Sequence, residues 1–339
     1  MNTVESIFIV AGALLVIMVV GNVTFSFLAE RRNPPIGEFL ECDGVRLHYI
    51  ERGNPAAPCV VLFHGNGSMM QDFIICGLVD LLARENRVIC FDRPGFGHSQ
   101  RPRLHTWTAT AQAALFAKAL NQLGVRDPVL LGHSWGTLVA IGVSMRDDYP
   151  IRGLVLASGY YFPTARWDVW LMSGPAIPIL GDLIRYTVAP IISWAILPSA
   201  FRKLFSPRSV PLEFKNELPR SLMLRPKQLR AAAEESALLV PTAVQFRSLY
   251  ESIRRPVRIF HGAEDAIIES KQARDLQRAI GGPSGLFLIK HAGHMVTYAD
   301  TAAIAEAVNS LVRQWIRLSA SEKVMTAETT WLCLERGVE

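Results

Sequence analysis

The feature that most restricts this chain is an alternation of uncharged apolar runs with segments whose apolar residues recur at helical spacing. "PCVVLFHG" (58–65) has the continuous apolar character of a strand buried on both faces. "MMQDFIICGLVDLLAREN" (69–86) follows with helical spacing, and then "RVICFDRPG" (87–95) reads as another buried strand. The pattern repeats with a helix over 106–124 that ends at Gly124, a strand in "PVLLGHS" (128–134), a helix over 137–149 and a strand in "RGLVLASG" (152–159). After a long interruption come strands at 256–262 and 285–293, a helix from about Ser270, and a last helix near Thr301 to Leu318. Ahead of them, "EFLECDGVRLHYIERG" (38–53) places Asp43-Gly44 between two β-rich runs, a hairpin signal. Strands alternating with helices predict an α/β fold: a mostly parallel central sheet with helices on both faces.

Size and charge narrow the function. A chain of 339 residues, half of them hydrophobic, holds one large α/β domain with an insertion, or two domains. The formal charge of +5 is modest for this length, and no like-charge block or basic-aromatic motif points to nucleic acid. The cysteines (42, 59, 76, 90 and 333) are odd in number, scattered and without CxxC spacing. That argues against a zinc site or a disulfide framework and favours a reducing compartment.

Residues Ile7 to Ala29 contain no charged side chain in 23 positions. A helix of that length spans a hydrocarbon core of roughly 30 Å. A cleaved signal peptide would want a basic leading segment, but "MNTVES" carries Glu5 and no Lys or Arg, and "SFLA" is a poor cleavage site. We therefore expect a single membrane anchor over residues 7–29. Arg31 and Arg32 follow it, which by the positive-inside rule puts the body of the protein on the cytoplasmic side. "NPPIG" (33–37) reads as a short stiff linker.

Ser134, in "GHSWG" (132–136), falls where a buried strand turns into a helix. In such a turn the serine takes a strained backbone conformation and its hydroxyl projects above the carboxyl edge of the sheet. Gly132 and Gly136 leave room for close neighbours, and the helix N-terminus behind favours developing negative charge. A serine hydroxyl needs a base, and the base needs an orienting acid. His294, in "HAGHMV" after the last strand, is the preferred base, with His291 as its rival. Asp265, in "HGAEDAII", is the preferred acid, with Glu264 as its alternative. Ser, Asp and His then follow in chain order, each after a separate strand. For the oxyanion hole the backbone N–H groups of Trp135 and Asn66 are the candidates, Asn66 from the loop "HGNGS" (64–68). His64 and His261 are expected to be structural.

With these blocks on the page ("HG", "DRPGFGHS", "GHSWG", "HGxxD" and "HAGH"), the chain resembles the α/β-hydrolase superfamily from about residue 38 to 318. The resemblance implies Ser134 as nucleophile, Asp265 as acid, His294 as base and the amides of Asn66 and Trp135 as the oxyanion hole. It also implies that Asp92, in "DRPGFGHS", is structural. Haloalkane dehalogenases and epoxide hydrolases of this fold carry an aspartate in the elbow, where this chain has Ser134. The expected organisation is an anchor and linker (1–36), a first core part (37–159), a cap insertion (160–250), a second core part (251–318) and a tail (319–339) containing Trp331 and Leu332.

The cap begins with an aromatic, Pro- and Ile-rich stretch (160–201). A transmembrane hairpin there is disfavoured by Arg166, Asp168, Asp182 and Arg185. An apolar substrate tunnel facing the membrane is the favoured interpretation. Residues 202–230 add eight Lys or Arg against two Glu, which suits either anionic headgroups or a solvated helical face. Anchor and greasy cap together resemble membrane-anchored monoacylglycerol lipases of the superfamily. The expected activity is a cofactor-free serine esterase or lipase acting on apolar or lipid-like esters. The alternatives are C–C bond or amide hydrolysis by the same triad, or a non-catalytic tethered binding module.

Overall fold

The computed structural model describes residues 2–317. Strands β1 (Glu38–Cys42) and β2 (Val45–Arg52) form an antiparallel hairpin. Strands β3 (Cys59–Phe63), β4 (Arg87–Phe91), β5 (Val129–His133), β6 (Gly153–Ala157), β7 (Val257–Gly262) and β8 (Ser284–Ile289) run parallel to one another. The sheet order is β1-β2-β4-β3-β5-β6-β7-β8, with β2 antiparallel to β4.

The alternation of a pleated strand explains why the apolar runs are unbroken. On β3, Cys59, Val61 and Phe63 enter one core while Val60 and Leu62 enter the other. On β4, Ile89 and Phe91 share the first core with Phe116 and Leu138, while Val88 and Cys90 share the second with Leu82 and Val308. Helices cover both faces, so neither side of these strands tolerates a charge. Burying each such side chain stabilises the fold by roughly 1.5–3 kcal/mol.

Local signals place most boundaries. Asp43 and Gly44 both take positive φ (49° and 72°), the geometry of a tight hairpin turn whose hand matches the strand twist. Thr108 caps the helix Ala109–Gln122 by accepting from the Ala111 N–H at 3.1 Å. The single helix expected over 69–86 is instead two short ones, Gln71–Ile75 and Leu78–Ala83. Gly77, at φ 75°, is left-handed and ends the first. The strand expected over 285–293 stops at Ile289, and His291 turns away at φ 53°. The last helix occupies 301–317. Leu318, and the tail with Trp331 and Leu332, lie outside the described residues.

Between β6 and β7 the chain is helical: Trp167–Met172, Leu180–Tyr186, Ala189–Phe205, Leu212–Glu217, Arg220–Met223 and Pro226–Phe246. Leu180–Tyr186 and Ala189–Phe205 are jointly apolar but meet at 67°. Arg185 is buried there and pairs with Asp182. Thr3–Arg32 is the one helix among the described residues that is by itself long and apolar enough to cross a membrane. It packs on the inserted helices: Asn22 Nδ2 donates to the carbonyls of Tyr186 (2.7 Å) and Thr187 (3.0 Å), groups a helix end leaves without partners. The basic residues of 202–230 do not form one face. Arg225 and Lys227 pair with Glu30 of the first helix, and Arg230 pairs with Glu234.

Candidate active site

Ser134 caps the helix Trp135–Ser144 with φ 52° and ψ −119°, a conformation that L-residues seldom adopt. Its backbone is over-determined. The Ser134 N–H donates to the Ala157 carbonyl at the end of β6 (2.8 Å), and its own carbonyl accepts from Thr137 N–H (3.0 Å) and Oγ1 (2.6 Å). Both flanking glycines are required by contact. A Cβ on Gly132 would lie 2.4 Å from the Gly136 carbonyl oxygen, and one on Gly136 would lie 2.0 Å from that of Phe63.

His294 Nε2 lies 2.9 Å from Ser134 Oγ, and His294 Nδ1 lies 2.8 Å from Asp265 Oδ2. An ionised carboxylate only accepts, so Nδ1 carries the proton and Nε2 is left to accept from the serine. The inserted helix Ala189–Phe205 fixes the histidine loop: the Leu204 carbonyl accepts from the N–H of His294 (2.9 Å). Asp265 sits in the turn after β7, where Oδ1 accepts from the N–H groups of Ile267 (2.8 Å) and Ile268 (3.0 Å). Burial alone would raise its pKa. The charge of His294 and hydrogen bonds from His261 and His294 outweigh burial and hold Asp265 well below the usual carboxylate range.

Of the oxyanion candidates, Trp135 directly follows the serine and Asn66 directly follows Gly65, which packs against it. The Trp135 N–H belongs to the first helical turn, which has no acceptor within its own helix. Gly65 abuts Ser134 so closely that a Cβ there would lie 3.1 Å from Ser134 Cβ. Asn66 follows it, and its Nδ2 donates to the Ala232 carbonyl (3.0 Å) and Ser236 Oγ (3.2 Å) on the inserted helix Pro226–Phe246.

The runners-up lie elsewhere. His291 and Glu264 face one another at the surface (3.5 Å), away from the serine. His64 accepts the Arg93 N–H on Nε2 (2.9 Å) and contacts the Gly65 carbonyl through Nδ1 (2.8 Å). Burial, followed by the Arg93 charge, lowers its pKa to about 3, so it is a neutral brace for the loop. Asp92 accepts from His48 (2.6 Å) and from the N–H groups of Met70 and His98 (both 3.0 Å), and none of these bonds involves His294 or Ser134. His261 does more than close a turn: its Nε2 lies 2.8 Å from the Ile268 carbonyl and 3.3 Å from Asp265 Oδ2.

Two residues escaped the sequence. Arg93 is fully buried and donates to the carbonyls of His64 (2.7 Å) and Gly65 (3.0 Å). Its guanidinium pairs with Glu235, 142 residues away on the helix Pro226–Phe246. Arg93 was visible inside "DRPGFGHS"; nothing local marked Glu235. Near Ser236 on the same helix, Ala237 and Val240 line a cavity of about 620 Å³ together with Trp167, Val169 and Trp170.

Residues 58–300 match the family model described as alpha/beta hydrolase fold. A 2-hydroxy-6-oxo-2,4-heptadienoate hydrolase of Pseudomonas putida is 27% identical over 293 residues, covering 83% of this chain and 97% of the relative. Haloalkane dehalogenase 2 of Mycobacterium tuberculosis is 24% identical over 226 residues, covering 66% of this chain and 73% of the relative. Among solved structures, one described as a membrane phospholipase A and bacterial virulence factor superposes with a TM-score of 0.63 at 18% identity, covering 92% of this chain and 96% of that one. An esterase from Thermogutta terrifontis superposes at 0.64 with 22% identity, covering 83% and 98%. At these identities the structural likeness establishes the fold.

Proposed function

Since the chain belongs to the alpha/beta hydrolase fold family, we propose that it is a membrane-anchored serine hydrolase that cleaves apolar or lipid-like carboxylic esters through an acyl-enzyme on Ser134. The observation that carries this is the unbroken chain Ser134 Oγ, His294 and Asp265, with links of 2.9 and 2.8 Å, on a strained elbow.

The geometry lends itself to acyl transfer. As Ser134 Oγ attacks the ester carbonyl carbon, His294 Nε2 takes the hydroxyl proton and Asp265 stabilises the imidazolium. The carbonyl oxygen becomes an oxyanion held by the N–H groups of Asn66 and Trp135, each contributing on the order of 10²–10³ in rate. Collapse breaks the C–O bond, and His294 returns its proton to the leaving alcohol. Water then attacks the acyl-enzyme while His294 accepts its proton, and the acid leaves as Ser134 recovers its own.

The cavity beside Ser236, walled by Trp167, Val169 and Trp170, supports an apolar acyl group. Trp167 and Trp170 are 81% and 75% exposed on the outside of the insertion, which supports contact with a membrane. The contacts of Asn22 and Glu30 with the inserted helices support an anchor that stays with the domain rather than a leader that is removed. Arg31 and Arg32 after the apolar run support a cytoplasmic domain by the positive-inside rule. Hydrolysis of a carboxylate-bearing diketone is less well supported, because Arg166, a cation on that cavity, is tied bidentately to Asp168.

The test is labelling with a fluorophosphonate probe, then turnover of 4-nitrophenyl esters of increasing acyl length. Ser134→Ala should abolish labelling and lower kcat by on the order of 10⁶. Turnover should rise with chain length. Labelling without turnover of any ester would move the chemistry to amides or C–C bonds, and no labelling of the folded protein would leave a binding module.

A further inference from the structure

The helix Thr3–Arg32 does not lie flat on the inserted helices along its length. It is pinned at Asn22 and again at Glu30, and a groove is left along its contact with the helix Ala189–Phe205. One end, about 350 Å³, is lined by Met18, Gly21, Phe25, Ile191 and Trp194. It runs into a second space of about 730 Å³ that shares Phe25, Trp194 and Leu224. That second end carries Arg32, Asn33, Arg220 and Ser221. The groove is therefore apolar at one end and cationic at the other.

The two guanidiniums there differ from their neighbours. Arg225 and Lys227 share the one carboxylate of Glu30, whereas Arg32 and Arg220 are exposed and meet no carboxylate among the described residues. Along the first helix, Met18 and Arg32 are separated by about 21 Å of axial rise. One leaflet's share of a hydrocarbon core is about 15 Å, so the spacing matches acyl chain at one end and headgroup phosphate at the other. Gly21 widens the apolar end: nothing lies within 4 Å of where its Cβ would be.

We propose that this groove binds an anionic glycerophospholipid, its acyl chain between the helices Thr3–Arg32 and Ala189–Phe205 and its phosphate on Arg32 and Arg220. The site shares no residue with the Ser134, His294 and Asp265 constellation or with the cavity at Trp167 and Trp170, and it rests on the reading of Thr3–Arg32 as a membrane span. The bound lipid would brace the insertion against the anchor, filling space that protein atoms leave open.

Full-length Ser134→Ala protein, purified in mild detergent so that hydrolysis plays no part, is titrated with phosphatidylglycerol and with phosphatidylcholine of the same acyl chains, followed by native mass spectrometry. Phosphatidylglycerol should bind about 10- to 30-fold more tightly, as expected for two cations near a headgroup. The added pair Arg32→Gln and Arg220→Gln should bring it to the phosphatidylcholine level, while Arg→Lys at both should keep most of the preference. Gly21→Leu should weaken both lipids. Equal affinity for the two lipids, or no effect of the Gln pair, overturns the proposal. So does glycerol phosphate or oleate binding as tightly as phosphatidylglycerol. Unchanged fluorophosphonate labelling of the Gln pair carrying Ser134 reports that it folds. Release of the protein from membranes by alkaline carbonate would refute the membrane span separately from the lipid preference.

Discussion

At its middle, the helix Pro226–Phe246 meets the α/β core through Glu235, paired with Arg93, and neither side chain has any exposure. At its start, Arg225 and Lys227 meet the helix Thr3–Arg32 through Glu30, whose side chain is 45% exposed. Both junctions tie the same helix to another part of the molecule by a carboxylate and a cation. They differ in what remains when the carboxylate is removed. Arg93 has no route to water. Arg93 keeps the carbonyls of His64 and Gly65, and Arg225, which is just as buried, keeps those of Leu222 and Gly97; but Lys227 and Glu30 are partly solvated, so water reaches the second junction and not the first. Depth, more than the number of bonds, sets the value of an ion pair.

The sharpest way to break this contrast is Glu235→Ala. It should cost about 3–5 kcal/mol in chemical or thermal unfolding, because it strands a buried guanidinium. Ester turnover should fall as well, since Arg93 holds the carbonyls of His64 and Gly65 beside the serine. Glu235→Gln, which keeps an acceptor, should lose less on both counts. Unchanged stability in the alanine variant would refute the buried-pair argument.

Asp72 sharpens the comparison from the other side. It is a buried carboxylate with no cation within ion-pair distance among the described residues; it is held by Ser68 and Tyr298, and burial raises its pKa to about 6. The folded chain therefore keeps this proton between about pH 4 and 6 while the unfolded chain releases it, so this group's contribution to stability is lost as pH rises through that window. Asp72→Asn should stabilise the protein at pH 7 by about 1–3 kcal/mol, with the gain vanishing below about pH 4. A melting series across pH checks both the size and the sign. The smallest effect belongs to Glu30→Gln. It should cost less than about 1 kcal/mol, shrink further in high salt, and leave kcat unchanged. A loss as large as that of Glu235→Ala would mean the junction with Thr3–Arg32 is no weaker than the core one.

Much of the site could be read before any coordinates. The elbow is a local object: a buried strand, small residues on either side of Ser134, then a helix. Asp265 and His294 were accessible because each follows a strand in the right order. The choice between His294 and His291 was harder, because three residues separate them in one loop. In the fold, His291 turns outward at φ 53°, while the Leu204 carbonyl holds the His294 N–H and His294 Nε2 lies 2.9 Å from Ser134 Oγ. The break at Gly77 was missed because apolar spacing continues across it, while one left-handed residue ends the helix.

The sequence by itself determined the parallel sheet, the hairpin at Asp43-Gly44, the apolar span and the serine elbow. Each depends on side-chain periodicity or on the backbone freedom of a few adjacent residues. Only the tertiary structure decided that Arg93 would find Glu235, that Asn66 would reach Ser236, and that Glu30 would pair with Arg225 and Lys227 while Arg32 and Arg220 meet no carboxylate among the described residues. These contacts join residues more than 140 positions apart. A polar side chain far along the chain carries no periodic signal of its partner; folding brings the two together, and burial then makes the pairing obligatory.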